Sequence, residues 1–235
     1  MRAIFLLALG ILALPATAFA FPESAGFLSD VPVSFPDPRE DIYCQLPSGG
    51  WGVYNASTAF SSEMADDMPA NLSGIYVGGV AVWVGEWGGV DWMPFTSLIV
   101  NIYDDTCPPP QDPVFSVAVP YDELNAIQVY AGNWYVYQCQ ADVLAPITID
   151  DATSIGFVVD QDWGQNPPYC GMVITDGVLY GCELYWDAEF WGYSRWIPGS
   201  QYFGIAVDLA WCLVHGIGPT STVETHWGSI RGLFR

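Results

Sequence analysis

The chain has 235 residues, of which 26 are acidic and only five are basic, and its formal net charge is -21. All five basic residues are arginines. Binding to nucleic acid or to anionic lipid depends on Lys and Arg side chains that neutralise phosphates, so this composition predicts neither kind of partner. Hydrophobic residues make up 51% of the chain, which is enough to bury a sizeable core.

Residues 1–20 have the features of a secretory signal peptide. Arg2 precedes an apolar run from Ala3 to Leu14, and residues 18–20 have the A-x-A form of a signal-peptidase site. A transmembrane anchor is the alternative. However, Pro15 interrupts the run, which is shorter than the roughly 20 residues needed to span a bilayer. We therefore expect an exported protein, secreted or held at the cell surface, with no membrane span in its mature chain.

Residues 21–43 contain four prolines and are interpreted as an extended leader. The expected domain covers residues 44–214. Its apolar segments are short, rich in β-branched and aromatic residues, and bounded by Gly, Pro, Asp or Asn. In one of them Leu98, Val100 and Ile102 share a face. Because helix signals are scarce, the sequence predicts an all-β fold, an antiparallel β-sandwich of the jelly-roll type.

The segment SSEMADDMPANLSGIYVGGVAVWVG, residues 61–85, resembles the first strands of jelly-roll modules in secreted bacterial proteins. Modules of that type often hold a structural calcium ion. The resemblance therefore implies Ca²⁺ as a possible cofactor, with Asp66 and Asp67 as candidate ligands, since calcium takes six to eight oxygen ligands. The alternative is that such paired aspartates are ordinary solvated turn residues.

Six cysteines follow the signal peptide, and an even number in an exported chain favours disulfides. None is arranged as CxxC, so a zinc site is not expected. In the segment CGMVITDGVLYGC, a hairpin that pairs Ile174 with Val178 would place two of the cysteines opposite each other. The predicted disulfides are Cys170–Cys182 from this hairpin, Cys44–Cys212 between the first and last strands, and Cys107–Cys139 from the remaining pair.

The densest group of aromatic side chains lies in YWDAEFWGYSRW, residues 185–196. Rings that stand beside carboxylates and an arginine are typical of a sugar-binding surface. The alternative is that alternating rings fill the core of a sandwich. The candidate ligand-binding residues are Trp186, Trp191, Tyr193, Arg195 and Trp196 in this segment, together with Trp87 and Trp92, which flank a Gly-Gly turn.

No catalytic motif stands out in the sequence. A Ser-His-Asp arrangement would require His215 or His226, which lie at the linker and in the tail rather than within the domain. Neither a phosphate-binding loop nor an HExxH motif occurs. Among 26 acidic residues, some carboxylate pair suited to glycoside hydrolysis arises by chance.

Residues 215–222 have the composition of a flexible linker, and residues 223–235 form a tail that is basic after Glu224. The end of the tail, residues 227–235, resembles a motif, W-G-x-I-[KR]-x-L-[YF]-R, that closes many exported bacterial proteins. Such tails are similar in placement to the sorting signals of type IX secretion. The resemblance implies delivery by a secretion machinery. A disordered or edge-docked chain end with chance basic residues is the alternative.

Together these features predict an exported, non-catalytic β-sandwich module that binds an extracellular glycan or supports a surface assembly. A purely structural surface protein and a small glycan-active hydrolase are the two alternatives. A binding module should expose a row of aromatic rings, and a hydrolase should bring two carboxylates together, one with a raised pKa.

Overall fold

The structure, a computed structural model, describes residues 41–46, 51–87, 95–104, 107–131, 135–143, 148–149, 153–161, 169–176, 181–187, 189–193 and 195–214. These residues form strands, one short α-helix, and four 3-10 turns at Thr58–Phe60, Ala70–Leu72, Tyr121–Glu123 and Glu189–Trp191. The strands and the α-helix are β1 (Asp41–Gln45), β2 (Trp51–Asn55), β3 (Met64–Asp67), β4 (Gly79–Trp87), β5 (Ser97–Tyr103), β6 (Phe115–Pro120), β7 (Asn125–Ala131), β8 (Tyr135–Asp142), β9 (Ser154–Asp160), β10 (Tyr169–Asp176), β11 (Tyr185–Asp187), β12 (Trp196–Pro198), α1 (Gly199–Phe203), β13 (Val207–Leu209) and β14 (Trp211–Val214).

The strands form two antiparallel sheets. In sheet A, β8 pairs along one side of β4, while β10 and β14 share its other side. Outside these strands, β7 pairs with β8, β1 with β14, and β2 and β13 with β10. Sheet B has the strand order β12-β11-β3-β9-β5-β6.

The core lies between the two sheets, and the chain crosses repeatedly from one sheet to the other. From β3 to β5, and again from β8 to β11, successive strands alternate between sheets, as in jelly-roll folds. Leu98, Val100 and Ile102 are fully buried in this core, because alternate residues of a strand face the same side. The structure thus confirms the predicted all-β, antiparallel sandwich.

Strand β4 is buried on both faces. Val82 belongs to the core between the sheets, whereas Ala81 and Trp83 belong to a second buried cluster on the opposite face of sheet A. A strand that is buried on both sides is expected to be apolar at consecutive positions rather than at alternate ones. The sequence GVAVWVGEW of β4 fits that expectation.

One predicted disulfide is confirmed, and two are wrong. Cys44 of β1 is bonded to Cys212 of β14, with their Cα atoms 4.1 Å apart, so the first and last described strands are joined. Cys182 is bonded to Cys107, not to Cys170, with a Cα–Cα distance of 6.2 Å. Cys139 and Cys170 are thiols, and both are buried.

The hairpin that predicted the Cys170–Cys182 bond does not form, because both edges of β10 are already occupied. Ile174 pairs with Leu209 of β13 on one side and with Gly52 of β2 on the other. No edge therefore remains for residues 178–182 to pair with this strand. The Cys107–Cys139 prediction is therefore also wrong, because it depends on the other two pairs and Cys107 is bonded to Cys182.

Within the part of the chain that the structure describes, no helix has the length and apolar character needed to cross a membrane.

Candidate functional site

A cluster of aromatic rings lies at the end of the sandwich where β11, β12 and α1 meet. Its centre is Trp186 of β11, which is only 2% exposed and donates a hydrogen bond from Nε1 to the carbonyl oxygen of Asn55 at 3.0 Å. The ring centroids of Trp191 and Tyr202 lie 4.7 and 4.6 Å from that of Trp186. The ring cluster consists of Tyr54, Phe60, Trp186, Phe190, Trp191, Tyr193, Tyr202 and Phe203.

Two short elements position the outer rings of the cluster. The 3-10 turn Glu189–Trp191 follows β11 and carries Phe190 and Trp191. Helix α1 ends at Phe203, because Gly204 adopts a left-handed conformation with φ of 74°. Glycine adopts that conformation without steric cost.

The outer rings of the cluster are accessible. Phe190 is 49% exposed, Tyr193 41% and Tyr202 36%, while Trp191 is partly buried. Isolated exposed rings are ordinary on protein surfaces. Here, however, the rings contact each other: Tyr193 lies 6.0 Å from Tyr202, and Phe190 lies 5.2 Å from Trp191. Both pairs meet edge to face, with interplanar angles of 81° and 76°, so several ring faces and edges lie close together near the surface.

An ion pair lies on the outer face of sheet B, because Asp187 follows Trp186 in β11 and consecutive side chains of a strand face opposite sides. Arg195 Nε is 3.3 Å from Asp187 Oδ2, and the Arg195 side chain is 30% exposed. The guanidinium carbon of Arg195 lies 5.7 Å from the ring centre of Trp196, within cation–π range. Trp196 is held in turn by a hydrogen bond from its Nε1 to the carbonyl oxygen of Pro110 at 3.3 Å.

A buried carboxyl group lies on the same outer face of sheet B. Glu63 Oε1 accepts hydrogen bonds from Asn101 Nδ2 at 2.9 Å and from Tyr103 Oη at 2.8 Å. Burial raises the pKa of Glu63, although both of these hydrogen bonds and the charge of Arg195 oppose the rise. The pKa of Tyr103 is also raised, first by burial and then by the Glu63 carboxylate.

Glu63 and Asp187 are neighbours across two strands. The backbone N–H of Asp187 donates to the carbonyl oxygen of Glu63 at 2.8 Å, so their side chains leave adjacent strands close together. Burial raises the pKa of Asp187 as well, opposed by the Glu189 N–H and by Arg195. The carboxyl groups of Glu63 and Asp187 and the guanidinium group of Arg195 therefore lie close together.

No protein-family model matches the chain, and neither a curated protein nor a solved structure shows significant similarity to it.

Of the predicted ligand-binding residues, the structure leaves four at least partly accessible, namely Trp191, Tyr193, Arg195 and Trp196, and places one inside. Trp191 and Tyr193 belong to the ring cluster, whereas Arg195 and Trp196 contact each other. Trp186 lies in the core, where its ring supports the outer rings rather than meeting solvent. Trp87 is the last residue of β4, opposite Tyr169, and Trp92 lies outside the described residues.

The two candidate calcium ligands point in opposite directions. Asp66 and Asp67 are consecutive in β3, so their side chains lie on opposite faces of the sheet. Asp66 Oδ2 accepts hydrogen bonds from Gln45 Nε2 and, at 3.1 Å, from Trp211 Nε1, while its Oδ1 accepts from the Asp67 N–H at 2.9 Å. Asp66 also hydrogen bonds to the buried carboxyl group of Asp208, and burial followed by the charge of Asp208 raises the pKa of Asp66.

Asp67 lies beside the second disulfide. Its Oδ1 accepts a hydrogen bond from the backbone N–H of Cys182 at 3.0 Å, and burial raises its pKa. Among the described residues, one group of potential metal ligands is close enough to converge, namely Asp67, Cys107 and Cys182. The sulfur atoms of that group form a disulfide and are not thiolate ligands. Calcium binding therefore stays a prediction, because the described residues include no group of three or more carboxylates close enough to share one ion.

Several residues of the site were missed by sequence reasoning. Tyr202 and Phe203 come from α1, Phe60 from a distant turn, and Glu63 and Tyr103 from strands that the sequence does not connect. Only the polar face of the β5 segment, which carries Asn101 and Tyr103, indicated that polar side chains would gather there. Their convergence depends on the order β11-β3-β9-β5 in sheet B.

Proposed function

We propose that this chain is an exported, non-catalytic β-sandwich module that binds an extracellular carbohydrate at the ring cluster. One observation carries the proposal: Phe190, Tyr193 and Tyr202 are each more than a third exposed, yet they contact one another or Trp191. Apolar rings are usually stabilised by burial in the core. The grouping of these rings at the surface therefore favours a function in which a ligand stacks on them.

The surroundings of the rings suit a sugar. A pyranose offers an apolar face to aromatic rings and hydroxyl groups at its edge. Arg195, whose side chain is 30% exposed, offers hydrogen-bond donors on the neighbouring outer face of sheet B, where the buried Asp187 carboxylate holds it in place. The buried Trp186 fixes the platform from below, so little side-chain entropy is lost when a ligand binds.

A glycan-array screen of the chain from Phe21 to its C-terminus, oxidised and with calcium present, tests this proposal. Saturable binding should weaken about 2- to 10-fold on Tyr193→Ala or Tyr202→Ala, in line with the free energy of a ring contact. Tyr76→Ala is the matched control, since Tyr76 is 66% exposed and belongs to no ring contact described here. A folded protein that binds no glycan would favour a purely structural surface protein.

A glycan-active hydrolase is the second candidate, favoured by the adjacent carboxyl groups of Glu63 and Asp187. Retaining glycosidases use two such groups about 5–5.5 Å apart. Release of nitrophenol from nitrophenyl glycosides is the assay. Hydrolysis that is lost in both Glu63→Gln and Asp187→Asn would replace the binding proposal, whereas the absence of hydrolysis alongside glycan binding would support it.

Export rests on the signal-peptide pattern of residues 1–20 and on the two disulfides, which are typical of proteins outside the reducing cytosol. Delivery to the surface or the medium rests on the resemblance of residues 227–235 to a sorting tail. Deletion of residues 223–235 should leave the sandwich folded but change the cellular fraction in which it is found. Unchanged delivery would contradict the sorting role.

A further inference from the structure

Strand β6 is an open edge of sheet B. Within the described residues it pairs with β5 and with no other strand. Its sequence, FSVAVP, has no charged residue, and its register against β5 runs without a shift. Regular, uncharged edges are ready to accept a further strand.

The other long edges are less suited to strand addition. Strand β7 has an irregular register between Gln128 and Tyr130, and β1 has one between Asp41 and Tyr43. Bulges of this kind interrupt pairing at an edge. Strand β12 has only three residues. Of the edges at the two ends of sheet B, β6 is therefore the one that can hold a partner.

The side chains of β6 indicate what a partner should supply. Phe115, Val117 and Val119 face the core, but only Val119 is buried, and the other two remain partly exposed at the edge. Ser116 and Ala118 face outwards and are exposed. A partner strand with apolar residues at alternate positions would cover the exposed parts of Phe115 and Val117.

Charges at both ends of β6 disfavour pairing with a second copy of the same strand. Asp112 precedes β6, Asp122 and Glu123 follow it, and all three are exposed. Antiparallel pairing of two copies of β6 would bring Asp112 of one copy opposite Glu123 of the other. Like charges placed directly opposite each other destabilise a strand pair. The partner should instead carry basic residues.

The chain contains one segment of that kind. Residues 226–235, HWGSIRGLFR, contain Arg231 and Arg235 and no acidic residue. In an extended conformation Ile230 and Phe234 would lie on one face, and both arginines would lie on the other together with Trp227 and Leu233. We propose that residues 226–235 pair with β6 of the same molecule and form a seventh strand of sheet B.

The length of the chain permits this pairing. Strand β14 ends at Val214, and the 11 residues 215–225 reach up to about 36–40 Å when extended. Strand β14 lies three positions from β7 in sheet A, and β7 follows β6 in the chain after one short turn. Three strand spacings amount to about 14 Å and one sheet spacing to about 10 Å. Both distances are shorter than the reach of residues 215–225. Because a short tether holds its segment at a millimolar effective concentration, pairing within one molecule is favoured over pairing between copies.

Hydrogen exchange of the backbone amides of β6, measured on the oxidised mature chain, tests the pairing. Amides that point away from β5 should be protected in the wild type and should exchange at least about tenfold faster in Ile230→Pro, because proline removes a hydrogen-bond donor and fixes φ. Thr220→Pro, in the linker, is the matched control and should leave protection unchanged.

A charge variant supplies a second readout. Asp112→Lys/Asp122→Lys should lower the same protection, whereas Glu189→Lys, at the other end of sheet B, should not. Outward amides that already exchange freely in the wild type would overturn the proposal, as would protection that Ile230→Pro leaves intact. Protection that rises with protein concentration would also overturn it, because the covering strand would then come from a second copy.

Discussion

The carboxyl groups of Asp66 in β3 and Asp208 in β13 hydrogen bond to each other between the two sheets, where both residues are almost completely buried. Gln45, Trp211 and the Asp67 N–H direct three further donors at Asp66. Burial, followed by the charge of Asp208, raises the pKa of Asp66 well above its usual value, so this buried carboxyl group holds a proton more readily than it would in water.

This pair makes the stability of the fold depend on pH. A carboxyl group whose pKa is raised by folding binds more protons in the folded than in the unfolded state, so its contribution is largest at acid pH and declines as the pH rises above the unfolded value near 4. Each unit by which the pKa is raised corresponds to about 1.4 kcal/mol.

Asp208→Asn should reduce this decline, because it removes the neighbouring charge and leaves burial as the main cause of the raised pKa of Asp66. Urea unfolding between pH 4 and pH 8 should show a smaller loss of unfolding free energy in the variant than in the wild type. Asp66→Asn should cost more than Asp208→Asn at every pH, since its amide nitrogen would replace one of the two oxygens that accept hydrogen bonds from Gln45, Trp211 and the Asp67 N–H. Parallel pH profiles for wild type and Asp208→Asn would contradict the electrostatic coupling of the two carboxyl groups.

Thiol counting tests the disulfide assignment. The native protein should react with no thiol reagent at neutral pH, because Cys139 and Cys170 are buried and burial raises the pKa of Cys139 to about 12 and that of Cys170 well above its usual value. After denaturation without reductant, two thiols should react. In Cys107→Ser a third should appear at Cys182, identified by peptide mapping. A denatured wild type without any reactive thiol, together with a single reactive thiol at Cys139 in Cys107→Ser, would restore the pairing that the structure contradicts.

Gly156 leaves the space that the Glu63 carboxyl group occupies. A Cβ at this position of β9 would overlap Glu63 Oε1 and approach the Tyr103 ring at 3.1 Å. Gly156→Ala should therefore destabilise the protein by about 1–3 kcal/mol, measured by urea unfolding. In the Glu63→Ala background the same substitution should cost clearly less, because the overlap is gone. Equal costs in both backgrounds would show that Glu63 is not the obstacle.

The two disulfides close loops of different length. Cys44 and Cys212 are separated by 168 residues, and Cys107 and Cys182 by 75. Removing either bond should lower the free energy of unfolding by about 2–5 kcal/mol, and the chain-entropy model makes the longer loop worth about 0.7 kcal/mol more. Double-alanine variants of each pair, compared by urea unfolding under non-reducing conditions, provide the measurement. A larger loss from the Cys107–Cys182 pair would show that local packing outweighs loop length.

Local pattern succeeded where a strand has one partner on each side and an apolar face that alternates with a more polar one. In β5, the alternation of Leu98, Val100 and Ile102 with Asn101 and Tyr103 predicted which side chains meet the core. The same kind of reasoning failed at Ile174, where an apparent hairpin was contradicted by β2 and β13, which come from distant parts of the chain. When both neighbours of a strand come from distant parts of the chain, the sequence of that strand does not identify them.

The sequence by itself determined the fold class, the acidic surface and the concentration of rings in residues 185–196, because these depend on composition and on the two-residue period of a strand. Only the tertiary structure decided that Trp186 is buried while Tyr193 is exposed, that Asp66 and Asp67 face opposite sides, and that Cys182 meets Cys107. Those outcomes depend on which strands become neighbours, and strand order is set by packing between segments that are far apart in the chain.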